Sequence, residues 1–166
     1  AWSNMALHWA VDPLAAISEL HRVLVRDGLL MFSTLGPDTL KELRAVAGPA
    51  RVHAFADMHD IGDMLVAAGF ADPVMDAERV TVSYPDARAL LADLRASGQT
   101  CALCARPRGL AGKGMLSALT EGLEAQRREG RLQVTFEVVY GHAWKAAPTR
   151  AADGRAIVRI EGLRRR

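Results

Sequence analysis

A mixed α/β sheet is the fold class this sequence predicts, and three observations carry it. Segments of helical and strand periodicity alternate through the first half of the chain, the order of a sheet wound with helices. One run, LLMFSTL at 29–35, is apolar almost throughout, which suits a strand covered on both faces, as in a parallel sheet. Two later segments, ERVTVSY at 78–84 and LQVTFEVVY at 132–140, alternate apolar with polar residues and predict late antiparallel strands.

Taken in order, the opening AWSN reads as the end of a buried strand. Asp12 and Pro13 form a cap and first-turn pair for a helix. Its apolar face combines Leu14, Ile17, Leu20 and Leu24 with Ala16 and Val23. Arg26 and Asp27 finish that helix, and Gly28 suits the position just past its end. After the 29–35 strand, GPDTLKELRAVAG predicts a second helix with Leu40, Leu43 and Val46 on one side. DMHDIGDMLVAAGF predicts a third, capped by Asp57, stopped by Gly69, with Ile61, Met64, Leu65 and Ala68 inward.

Strand character begins at Val74 and is clearest in ERVTVSY. DARALLADLRASG is a fourth helix ending at Gly98, Gln99 to Gly114 a loop, and MLSALTEGLEAQRREG a fifth helix ending at Gly130. In LQVTFEVVYGHAW, residues Leu132, Val134, Phe136, Val138 and Tyr140 share one face. Asp153-Gly154 marks a turn into AIVRI, a short final hairpin.

With 166 residues, the chain has the length of one domain with a proper core. Half of it is hydrophobic and 24% charged, as in ordinary soluble proteins. No apolar run reaches the roughly 18 residues of a membrane helix, and no signal-peptide layout opens the chain, so a cytoplasmic location is expected. A net charge of +2 is too small to point to nucleic acid. Basic residues nevertheless gather at Arg106, Arg108, Lys113, Arg127, Arg128 and Arg131, and again at Arg164, Arg165 and Arg166. Such clusters can steer an acidic partner, although most are solvated surface.

Cys101 and Cys104 form a single CALC. Zinc needs four ligands, and neither a second pair nor His59 or His142 has the spacing, so no metal site is predicted and two reduced thiols are expected. The glycine cluster RGLAGKG (Gly109, Gly112, Gly114) follows a loop instead of a strand and does not match a nucleotide fingerprint.

SNMALHW, a helix, and then DGLLMFSTLGPDTLKELR resemble the fourth-strand to fifth-strand region of class I S-adenosylmethionine methyltransferases. STLGPDTLKELR, DMHDIGDMLVAAGFADPVMD and TFEVVYGHAW resemble one family within them, the malonyl-[acyl-carrier protein] O-methyltransferases of biotin synthesis. The resemblance implies a Rossmann-like sheet in which LQVTFEVVY is the antiparallel strand and ERVTVSY its edge neighbour. It implies S-adenosylmethionine as methyl donor and the free carboxylate of a malonyl thioester on acyl carrier protein as acceptor.

It also implies that residues 1–166 form a single domain that is the C-terminal part of such a fold. The glycine-rich cofactor loop after the first strand, and the acidic residue after the second, have no counterpart in these residues. On that reading the opening strand has a bare edge, which would pair with a second copy in a homodimer.

The site residues follow from the resemblance together with the rule that ligands bind beyond the strands' carboxyl ends. Ser3, Asn4 and Met5 are the expected cofactor contacts, with Leu7 and Trp9 beside them. A carboxylate is already ionised at neutral pH, so its methylation needs alignment more than a catalytic acid or base, and none is assigned. An arginine fork suits orientation of that carboxylate, which singles out Arg106 and, with it, Arg108. Thr34 at a strand end, and Tyr140 and His142 beside Trp144, are the remaining candidates for the substrate wall. Arg127, Arg128 and Arg131 are the expected docking charges for an acidic carrier protein. A non-catalytic module that binds an acidic protein is the competing reading.

Overall fold

The last strand of the described chain lies inside the sheet, between strands made much earlier. The computed structural model describes residues 1–101, 103, 109 and 112–146. Its elements are β1 (Trp2–Asn4), a 3-10 turn (Leu7–Trp9), α1 (Pro13–Val23), β2 (Leu29–Leu35), α2 (Lys41–Ala47), α3 (Met58–Ala67), β3 (Ala71–Tyr84), α4 (Ala87–Ala96), α5 (Lys113–Glu124) and β4 (Leu132–Trp144). The sheet order is β1-β2-β4-β3. β1 and β2 are parallel, and β4 runs antiparallel to both of its neighbours. The predicted mixed α/β sheet with a late antiparallel strand is therefore what forms, with ERVTVSY in the edge strand.

Each face of the sheet is covered differently. On one, Leu30, Phe32, Val139 and Ala143 pack under α1 and α3 through Ile17, Ile61 and Leu65. The opposite face divides in two. At one end Leu132 and Val134 are buried against Leu43 of α2, Leu90 and Leu94 of α4 and Leu123 of α5. At the other, Trp2, Met31, Val74, Tyr140 and Trp144 stand exposed on the same side. The predicted face of Leu132, Val134, Phe136, Val138 and Tyr140 thus exists, but it is buried only toward Leu132.

Several element ends differ from the sequence prediction, each for a tertiary reason. The opening strand is three residues long and open to solvent instead of buried, with Trp2 79% exposed. α1 stops at Val23, short of Asp27, because Lys145 Nζ donates to the carbonyls of His21 (2.6 Å) and Leu24 (2.8 Å) and so satisfies its last turn.

α2 begins only at Lys41. The Leu40 N–H donates to the carbonyl of Thr135 on β4 (2.7 Å), which holds Leu40 at φ 55 and forbids an earlier helical start. β3 reaches back to Ala71 through an irregularity near Asp72 (φ 50). α5 ends at Glu124 instead of Gly130, where Glu129 and Gly130, both at positive φ, form a tight turn closed by Arg128 and Arg131. The caps behaved as the residue types dictate. Asp12 and Asp57 accept from Ala15 N and His59 N, and Gly69 and Gly98 take positive φ past their helices. The 153–154 turn, the AIVRI strand, Cys104, Arg108 and the terminal arginines lie outside the described residues.

Polar bonds fasten the β2–α2 connection to β4. Glu137, 7% exposed, accepts from Asp38 N (2.8 Å) and faces the Arg79 guanidinium (3.6 Å). Thr39 and Glu137 exchange two further bonds, and Glu42 accepts from both the N–H and the hydroxyl of Thr135. These bonds hold the carboxyl end of β2 in a fixed relation to β4.

Candidate functional site

β1 and β2 end side by side at Asn4 and Leu35, the edge where open α/β sheets bind ligands. Three segments converge beyond that edge: the Leu7–Trp9 turn, the loop between α2 and α3, and the residues just past α4. They bring four rings into a closed circuit. His8 lies 5.3 Å from Trp9 and 5.8 Å from Phe55, edge-on to the latter. His53 completes it, 5.9 Å from Trp9 and stacked 6.3 Å from Phe55.

Below the rings a cavity is floored by Leu35, Leu40, Leu43, Val52 and Leu94, with Arg51, Gln99 and Thr100 at its mouth. A second lobe on the far side of His8 and Phe55 contains Thr34, Leu7 and Ile61.

Arg44 builds this site from beneath. Its guanidinium donates to the carbonyls of Pro37 (2.9 Å), Thr39 (3.2 Å) and His53 (3.0 Å), which ties the 48–57 loop to the start of α2 and sets the ring of His53. His8 is the polar group at the centre. Its Nδ1 is buried and has no hydrogen-bond partner among the described residues. Burial, and secondarily the neighbouring charge of His53, push its pKa below the ordinary imidazole value, so the ring is neutral near pH 7. An apolar cavity with a neutral imidazole in its wall can exclude water and orient an acyl group.

The predicted site residues fall into different places. Asn4, Tyr140 and His142 come together, in a hollow on the open sheet face with Trp2, Met31 and Ser33. There the side-chain carbonyl of the exposed Asn4 accepts from the Ser33 hydroxyl (2.6 Å), which leaves its amide group available as a donor. Met5 is half-buried at φ 50, its N–H bonded to Ser33. Ser3 points to the other side of the sheet, beside Leu20 and Val23 of α1. Thr34, 2% exposed, belongs to the second lobe with His8. Arg106 lies outside the described residues.

Arg127 and Arg131 are already committed. Arg127 bonds the Pro85 carbonyl and pairs with Glu124, and Arg131 clamps Ser83 through its hydroxyl (2.6 Å) and carbonyl (2.8 Å). Sequence reasoning missed His8, His53, Phe55 and Arg44. The one local signal was the His8-Trp9 pair directly after a strand end.

Fold and sequence comparisons place these features in two steps. The fold is that of Rossmann-like methyltransferases. A solved structure of a candidate methyltransferase from Bacillus halodurans matches 88% of this chain and 68% of its own, with TM-score 0.56 and 15% identity. The YcgJ protein of Bacillus subtilis matches 89% and 63%, with TM-score 0.56 and 14% identity. At the level of sequence, the chain is similar to curated proteins named malonyl-[acyl-carrier protein] O-methyltransferase.

The protein of that name from Gallionella capsiferriformans is 55% identical over 162 residues, 95% of this chain and 56% of the relative. That of Laribacter hongkongensis is 50% identical over 164 residues, 95% and 55% respectively. The chain thus spans about half the length of the curated relatives it matches. No family model matches it.

Proposed function

We propose that the chain forms the substrate-side part of an S-adenosylmethionine-dependent O-methyltransferase, acting on the free carboxylate of a malonyl thioester carried by acyl carrier protein, in the cytoplasm, as a step of biotin synthesis. The observation that carries this reading is the 55% identity over 95% of the chain to a protein of that name. The four-ring cavity at the strand ends supports it, since an acyl group needs an apolar, water-poor enclosure.

When bound, S-adenosylmethionine supplies an electrophilic methyl group on a cationic sulfur. The exposed amide of Asn4 and the half-buried side chain of Met5 suit a polar and an apolar contact with that molecule, and they would form one wall of its site. Ser3 faces α1 and would serve only through its backbone. The acceptor carboxylate is ionised well above its pKa, so the chain's task is positioning. The neutral His8 ring can hold an acyl oxygen by a hydrogen bond without quenching a nearby carboxylate by full charge. Phe55 and Trp9 exclude water around it. Thr34, Tyr140, His142 and Arg106 are the further substrate-side candidates.

As a partner, we propose a second copy through the β1 edge, which a concentration-independent monomer in sedimentation equilibrium would rule out.

The deciding experiment mixes the chain with S-adenosylmethionine and malonyl-loaded carrier protein and follows the carrier by mass spectrometry. A gain of one methylene on the carrier, lost in a Phe55→Ala variant that stays folded, is expected. Binding of the carrier without any mass gain, by a chain that calorimetric titration shows to bind S-adenosylmethionine, would favour the non-catalytic module instead.

A further inference from the structure

The outer surface of α4 and α5 carries a feature that the cavity does not explain. Arg88, Leu91, Ala92 and Arg95 follow one another along α4 at helical spacing, and Leu116 and Thr120 face them from α5. Together they line a shallow apolar furrow with an exposed arginine toward each end of its α4 wall. Leu116 is 55% exposed, a large aliphatic side chain on a two-helix surface.

The charges around the furrow are unevenly used. Every acidic side chain of the two helices and the α4 cap is committed within the fold. Asp86 accepts from Ala89 N, Asp93 from the Tyr84 hydroxyl, Glu121 from Ser117, and Glu124 from Ala87 N. Arg88 and Arg95 have no ion pair or side-chain hydrogen bond among the described residues. Two cations flanking an aliphatic stripe are left facing water.

An apolar furrow between helices receives an amphipathic helix by its anchors at i, i+3/i+4 and i+7, and flanking arginines select one whose rim is acidic. The position of α4 links such an event to the cavity. Its outward side holds Arg88 and Arg95, while its inward side holds Leu94, and the residues just past it, Gln99 and Thr100, form the cavity mouth. A protein docked on the outside of α4 therefore sits one helix thickness, about 10 Å, from the four-ring enclosure.

We propose that the α4–α5 furrow is the docking site for an acidic amphipathic helix of the carrier protein that presents the malonyl thioester, with Arg88 and Arg95 as its charge contacts. This rests on the carrier-protein reading above. The sequence expectation placed the contact at Arg127, Arg128 and Arg131; the guanidinium groups of Arg127 and Arg131 are occupied, and the proposal moves the contact to Arg88 and Arg95 because those two flank an apolar furrow.

The test measures association of malonyl-loaded carrier protein with immobilised full chain, in parallel with binding of a small malonyl thioester. Arg88→Glu with Arg95→Glu lowers the association rate about ten-fold at low salt and flattens its salt dependence, with small-thioester binding unchanged. Leu116→Asp, which adds a like charge to the acidic helix, weakens carrier binding as well. Arg22→Glu with Arg26→Glu on and after α1 makes the same change in net charge and leaves association as it was. Far-UV circular dichroism identical to the parent shows that the exposed substitutions keep the fold.

Unchanged carrier association in the Arg88/Arg95 pair overturns the furrow proposal and leaves the carrier reading standing. Equal weakening by the α1 pair also overturns it, since net charge alone would then be acting. Failure of the unaltered chain to bind either carrier or small thioester overturns both.

Discussion

Gly141 sits in the middle of an interior strand, where glycine ordinarily weakens pairing. Here a Cβ would lie 2.3 Å from the Phe32 ring and 2.8 Å from the Met75 sulfur, so the missing side chain is space that Phe32 fills from the neighbouring strand. Gly141→Ala is expected to cost about 2 kcal/mol through overpacking, read as a lower urea midpoint with an unchanged slope. At this scale the sequence was legible where a residue's role is set by strand position. Asn4 and Thr34 were found at strand ends and lie there. His8, His53 and Phe55 were not found, because the circuit joins positions some 45 residues apart that no local period connects. Arg44 was hidden more deeply, since its three acceptors are backbone carbonyls that any residue could supply.

The capped starts at Asp12 and Asp57 and the stops at Gly69 and Gly98 follow local signals, whereas the end of α1 and the start of α2 do not, and the difference is physical. The α1 start is a local device: Asp12 beside Pro13 completes its cap with Ala15 N at 3.0 Å, three residues away. Asp12→Ala is expected to lower stability by about 1 kcal/mol, seen as reduced helix content at intermediate denaturant and a lower unfolding midpoint. The α1 end depends on Lys145, more than 120 residues later, and the α2 start on Thr135. Neither constraint leaves a trace in the local pattern. The 14-residue β3 was recognised from Val74 onward, most clearly where Val80, Val82 and Tyr84 alternate. Its first half, ADPVMDA, pairs with β4 despite a proline, as an edge strand allows.

The whole molecule responds to pH through its histidines. Both His8 and His21 have pKa values below the ordinary 6.5, each chiefly through burial, with His53 and Lys145 as the secondary causes. The unfolded chain therefore takes up protons below about pH 6.5 that the folded chain refuses. Stability is fully present above that value and declines as the pH falls toward the folded-state values. The thermal midpoint is expected to be level from about pH 7 to 8, lower near pH 5.5, and flatter in a His8→Gln, His21→Gln double variant. An equal decline in that variant would assign the effect to carboxylates instead. The sheet order carries a consequence in time. β4 is the partner of both β2 and β3, yet it is the last described strand to leave the ribosome. Until residues 132–144 emerge, the strands already made have no common neighbour to bind. Pairings across about 110 residues, such as Leu30 with Ala143, must then close late and slowly. The nascent chain spends that interval with the apolar surfaces of Phe32 and Leu35 uncovered, and this is when a chaperone has most to offer it.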